Sequence, residues 1–138
     1  MPKRRRGYRP LHDHRRDRRH AAFEALVERA LAGIPEPFAR ALREVAIVIA
    51  DEPTPDELDE GGLDDDEMLY GLYEGTPRTE WGADSAPFPN KITLFRLPLE
   101  EDFPDPDDLA DEVRETVIHE LAHHMGLDDR RLHELGHE

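Results

Sequence analysis

The sequence predicts a single α+β domain: a small β-sheet packed on an N-terminal helix and on one long, largely buried helix near the C-terminus. Three observations carry that expectation. Apolar residues recur at helical spacing from Phe23 to Leu31, three short β-branched or aromatic runs follow at 45–49, 69–73 and 91–97, and a well-capped helical pattern runs from Pro106 to Met125. The 138 residues are one domain's length. There is no run of ~20 apolar residues to cross a bilayer. The absence of cysteine excludes both a disulfide-stapled scaffold and a thiolate metal site.

Charge divides the chain in two. The formal net charge is −15, from 33 acidic and 18 basic residues. Residues 1–20 hold nine Lys/Arg against two Asp, a balance of +7, so residues 21–138 hold nine basic and 31 acidic residues, a balance of −22. With Leu11 and Tyr8 as the only sizeable apolar side chains after Met1, residues 1–20 are expected to be a basic, disordered arm, and 21–138 the folded domain. Phosphate contact by such an arm is the weaker reading, because no nucleic-acid motif accompanies the charge. The arginines at 4–6 are followed by more arginine rather than by an apolar stretch, so the chain reads as cytoplasmic and without a signal peptide.

Within 21–138 the elements follow in order. Phe23, Leu26, Val27, Ala30 and Leu31 form one helical stripe, closed by Gly33 and Pro35. A short helical piece is expected from Pro37 to about Arg43. Val45–Ile49 then reads as a well-buried strand. Residues 51–67 carry ten acidic side chains with prolines and a glycine pair, which predicts a solvated loop, and no window fits a calcium-binding EF-hand template. Leu69–Tyr73 suggests a second strand. Lys91–Leu97 suggests a third, which Pro98 stops and which is therefore expected at a sheet edge.

The last long helix carries the chemistry. Asp105 is a suitable N-cap, Pro106 suits the first helical position, and Gly126 is a stop. Leu109, Val113, Val117, Ile118, Leu121, Ala122 and Met125 cover an arc of about 220°, so the helix is largely buried. The remaining wedge contains Glu112, Glu115, His119, Glu120 and His123, the last three belonging to the run His119-Glu120-Leu121-Ala122-His123. Histidines at i and i+4 stack on one face, where they can share a metal ion, and the adjacent glutamate can take a proton from a water. Asp129, ten positions after His119, can return after Gly126 as the third ligand, and a register change in the turn would put Asp128 there instead. Chance yields such a pentapeptide in roughly 5% of shuffled chains, and adding Gly126 and Asp129 lowers this to about 4 in 10,000. His124 points away from the pair and reads as a satisfied buried histidine. Met125 reads as a packing residue. Glu115 could equally orient the His119 ring or be a surface carboxylate. His133 and His137 are expected in solvent.

HELAHHMGLDD at 119–129, followed by Leu132 and Glu134-Leu135-Gly136, resembles the extended HExxHHxGxxD signature of the bacterial minimal zincins, a family of small zincin-like metallopeptidases. The GLYEGTP segment at 71–77 and KITLFRLPLE at 91–100 are similar to that family's strand blocks. The resemblance implies that His119, His123 and Asp129 bind Zn2+ and that Glu120 is the catalytic general base. It also implies a minimal zincin-like fold, a mixed sheet of three or four strands above the active-site helix. An edge strand, expected at Lys91–Leu97, would pair with an extended peptide or protein substrate. Nine residues follow Asp129 and none is Met, so the downstream methionine turn of the metzincins is missing.

The expected function is therefore zinc-dependent hydrolysis of peptide bonds, with Tyr70 and Tyr73 as the hydroxyls considered for oxyanion stabilisation. The alternative is a non-catalytic zincin-fold binding module with a structural or vestigial metal site. An acidic nucleic-acid mimic, suggested by the −22 body, leaves the HExxH spacing without a reason.

Overall fold

The computed structural model describes residues 11–60, 69–75 and 90–136, with the side chains of 11–17, Glu60 and Asp129 outside that description. The elements are α1 (Leu11–Ala32), α2 (Phe38–Leu42), β1 (Ala46–Ala50), α3 (Pro55–Glu60), β2 (Gly71–Glu74), β3 (Lys91–Phe95), α4 (Arg96–Asp102), α5 (Pro106–Met125) and α6 (Asp129–Glu134). This is the expected α+β architecture of helices around a small mixed sheet. Among the described residues, no helix is long and apolar enough to cross a membrane.

Two helices differ in extent from the reading of the sequence. The first helix starts at Leu11, inside the segment 1–20 expected to be disordered. Once the apolar stripe from Phe23 anchors the helix on the core, each residue added at its N-terminus needs no new nucleation, and arginine is a good helix former. Residues 1–10 lie outside the described part. The acidic stretch is likewise not all loop. Thr54 and Glu57 form a reciprocal capping box, Thr54 N–H donating to Glu57 Oε1 at 2.8 Å and Glu57 N–H to Thr54 Oγ1 at 3.1 Å. With Pro55 at the first helical position, that box starts α3. Residues 61–67 of the stretch lie outside the described residues.

The sheet has the order β1-β3-β2, with β1 parallel and β2 antiparallel to β3. Lys91–Phe95 is thus the central strand, against the expectation that Lys91–Leu97 forms an edge. Pro98 lies beyond the strand in the first turn of α4, where proline is tolerated, so it says nothing about the ladder. Four consecutive buried residues, Ile92 to Phe95, have the pattern of a strand covered on both faces. Conversely β1, expected to be well buried, is an edge strand with Val48 38% exposed. Its β-branched run specifies a strand but not the layers around it.

One main core joins α1, α5 and one face of the sheet: Phe23, Val27 and Ala30 from α1, Val113, Val117 and Leu121 from α5, Ile92 and Leu94 from β3. Leu132 of α6 is 1% exposed in the same core, which ties the C-terminal turn back onto the long helix. On the other face Leu69, Leu72 and Phe95 form a smaller cluster with Ala50 and Leu58. The long helix α5 is thus the common partner, touching α1 as well as both β2 and β3.

Candidate metal centre

The helix that holds the site is specified at both ends. Asp105 Oδ1 accepts the N–H groups of Asp107 and Asp108 at 2.8 and 3.3 Å, and Asp107 and Asp108 place negative charge on the positive end of the helix. At the other end Gly126 takes the left-handed conformation, φ 77°, and Leu127 N–H reaches back to Ala122 C=O at 2.9 Å. A side chain at 126 would be strained there, and the turn it permits lets α6 begin three residues later.

On this helix His119 and His123 stand one turn apart, ring centres 5.2 Å apart and planes at 66°. Two imidazoles sharing one tetrahedral ion at Zn–N distances of ~2.0–2.1 Å hold their ring centres about 5 Å apart, so the pair fits a single zinc. The His123 side chain is 51% exposed, whereas that of Glu120, between the two, is 11% exposed. Glu120 Oε1 accepts the Tyr73 N–H at 3.0 Å and lies 3.3 Å from His123 Nδ1. A carboxylate fixed in this way beside two imidazoles of suitable spacing for one ion has the chemistry to accept a proton from a water between them.

Asp129 opens α6, and its side chain lies outside the described residues. Among the described residues no three His, Asp or Glu side chains converge on one point. Asp128, the alternative, is otherwise engaged: its Oδ1 accepts Arg131 N–H at 2.8 Å as the N-cap of α6.

The edge of the sheet nearest Glu120 is β2. In an antiparallel ladder, alternate residues turn their N–H and C=O groups to the partner strand. Phe95 N–H donates to Tyr70 C=O at 2.9 Å, which assigns Tyr70, Leu72 and Glu74 to the β3 side. Gly71 and Tyr73 therefore face away from β3, toward an edge that no other strand covers among the described residues, and it is the outward N–H of Tyr73 that Glu120 takes. Gly71 is where the strand comes down on the helix, since a Cβ there would meet Thr116 Cγ2 at 2.7 Å.

Neither tyrosine hydroxyl points to the pair. Tyr70 donates to Asp102 Oδ2, and burial followed by that bond pushes its pKa to about 12. The Tyr73 hydroxyl donates to Asn90 Oδ1 at 3.1 Å and lies 2.9 Å from His124 Nδ1. His124 is fully buried, as expected, and its Nε2 lies 2.7 Å from Glu44 Oε1. Glu115 and His133 are exposed, Met125 packs at the margin of the core, and His137 lies outside the described residues. Glu112, two turns before Glu120, has its pKa raised, chiefly by burial and further by the charge of Glu115, against a lowering bond from Thr116. The partners of Glu120 and His124 are beyond sequence reasoning. Tyr73 is 47 residues from the former and Glu44 is 80 from the latter, and no local pattern links them.

The model of a family described as zincin-like metallopeptidases matches residues 42–137. Among solved structures, a conserved hypothetical protein from Thermus thermophilus is 29% identical, covering 78% of this chain and 94% of its own, with a TM-score of 0.50. No curated protein sequence matches the chain significantly.

Proposed function

Because the chain belongs to the zincin-like metallopeptidase family, we propose that it hydrolyses peptide bonds with a zinc ion held by His119, His123 and Asp129. The observation that carries this reading is the Glu120 carboxylate, fixed by the Tyr73 N–H beside a histidine pair whose ring spacing suits one ion. When bound, zinc supplies a Lewis acid that acidifies water and polarises a carbonyl. Glu120 then accepts the proton of the attacking water at its carboxylate and hands it to the leaving amine. The peptide extends along the outer edge of β2, where the N–H and C=O of Gly71 and the C=O of Tyr73 face outward, rather than along β3, whose two sides are both paired. With both tyrosine hydroxyls turned elsewhere, they take no part in stabilising the oxyanion.

Metal analysis and a fluorogenic peptide library, applied to the native chain and to Glu120→Gln, test the reading. The expected result is one zinc in each protein and a fall in kcat of about 10²–10⁴-fold in the variant. Undiminished cleavage by Glu120→Gln would remove the general-base assignment. Stoichiometric zinc with no cleavage by the native chain would favour the non-catalytic binding module.

A further inference from the structure

Tyr73 is gripped by α5 at two points. Its backbone N–H donates to Glu120 Oε1 and its hydroxyl oxygen lies 2.9 Å from His124 Nδ1, Glu120 and His124 being residues i and i+4 on one line of the helix. Behind His124 stands Glu44, from the segment between α2 and β1, at 2.7 Å from Nε2. On the far side the Tyr73 hydroxyl donates to Asn90, the residue that leads into β3. A polar chain of four side chains thus runs through the protein, and one of its inner members, His124, has no solvent exposure. The Tyr73 ring also meets the His124 ring edge-on, centres 5.5 Å apart.

Polar groups in such a place cost free energy unless they are fully bonded, so a chain like this is retained where it fixes one arrangement among several. The strand it holds has reason to need fixing. β2 has four residues, is paired on one side only among the described residues, and is followed by Gly75. Short edge strands make few ladder bonds and can lift or slip. Gly71 against Thr116 sets the height of one end of β2 over the helix. The Tyr73 grip sets the other.

We propose that Glu44, His124 and Tyr73 are positioning residues, which hold the open edge of β2 at a fixed height over His119, Glu120 and His123. A peptide that pairs with that edge then has its scissile carbonyl presented to the histidine pair. None of the three touches substrate through its side chain: they act through the backbone of β2. The inference rests on the peptidase reading for its purpose, but the positioning itself is measurable without catalysis.

The test uses the full-length zinc-loaded chain and the variants Tyr73→Phe, Glu44→Ala and Glu44→Gln. Amide hydrogen exchange followed by NMR compares the Tyr73 N–H with core amides such as Ile92 and Val117. In Tyr73→Phe and Glu44→Ala the amide at position 73 should lose about tenfold or more of its protection, while core amides change by less than about threefold. Glu44→Gln, which keeps an acceptor oxygen, should restore protection to within about threefold of native. For the library peptide that the native chain cleaves best, KM should rise about tenfold in Tyr73→Phe with kcat within about threefold, because edge binding rather than proton transfer is impaired.

An unchanged amide at position 73, or a loss shared equally by the core, overturns the proposal, as does an unchanged KM. If Tyr73→Phe does not fold, the Glu44 pair decides the same question. If the native chain cleaves no library peptide, the peptidase reading fails, and the exchange data alone decide whether the chain of residues positions β2.

Discussion

His123 and His124 are neighbours in sequence on one turn of α5, yet they live in different solvents. The His123 side chain is half exposed beside the Glu120 carboxylate, and His124 is sealed between Glu44 and Tyr73. A rotation of about 100° around the helix separates the two surroundings. The comparison teaches that a histidine's role here is set by which side of the helix the fold covers, not by residue type. On the open side the ring keeps access for a metal. On the closed side it becomes a fastener between helix and sheet.

Replacing each histidine by alanine separates those roles most sharply. His124→Ala should lower stability by about 2–4 kcal/mol, from the cavity and from the Tyr73 and Glu44 groups left short of a partner. Zinc stoichiometry of the folded fraction should hold. His123→Ala should change stability by no more than about 0.5 kcal/mol in the metal-free chain, because the site is partly exposed, while zinc binding is lost. Thermal unfolding with and without chelator, together with metal content, reads both. If the two variants behaved alike, the division between an open and a closed side would fail.

A smaller contrast lies in the next pair of like neighbours, Asp128 and Asp129. Asp128 caps α6 through Arg131 N–H, so Asp128→Ala should cost about 1 kcal/mol and leave zinc in place. Asp129→Ala should do the opposite, reducing zinc occupancy with little effect on the metal-free melting curve. Zinc lost from Asp128→Ala and retained in Asp129→Ala would exchange the two assignments.

What can be read from the sequence follows the same division between local and distant causes. Caps, the left-handed glycine, the i, i+4 pair and the buried arc of α5 are all local, and each stands where its pattern places it. The central position of β3 is hidden because Pro98 reads as a sheet-edge signal, whereas it belongs to the first turn of α4. The exposure of β1 is hidden because a β-branched run specifies strand conformation and not how many layers cover it. The capping box at Thr54–Glu57 is present in the sequence but outweighed by the acidic, proline-containing composition around it. The grip on Tyr73 is out of reach, since it depends on Glu44, Asn90 and His124 meeting through the sheet topology.

The smallest expected effect lies on the same open side of α5, two turns before the pair. Glu112 is half-buried beside Thr116, and burial, with the charge of Glu115, raises its pKa above the ordinary 4.5. The folded chain therefore binds this proton more tightly than the unfolded chain does. Its contribution to stability is fully present below the unfolded pKa and is lost as pH rises through that value toward the raised folded one. Glu112→Gln keeps an acceptor for Thr116 and removes the titration. The variant should melt above the native chain at neutral pH and with it at about pH 4. A difference that stayed constant from about pH 4 to pH 7 would mean that packing, not the proton, separates the two proteins. In that case Glu112 would belong with His124 as a fastener and not with the open side.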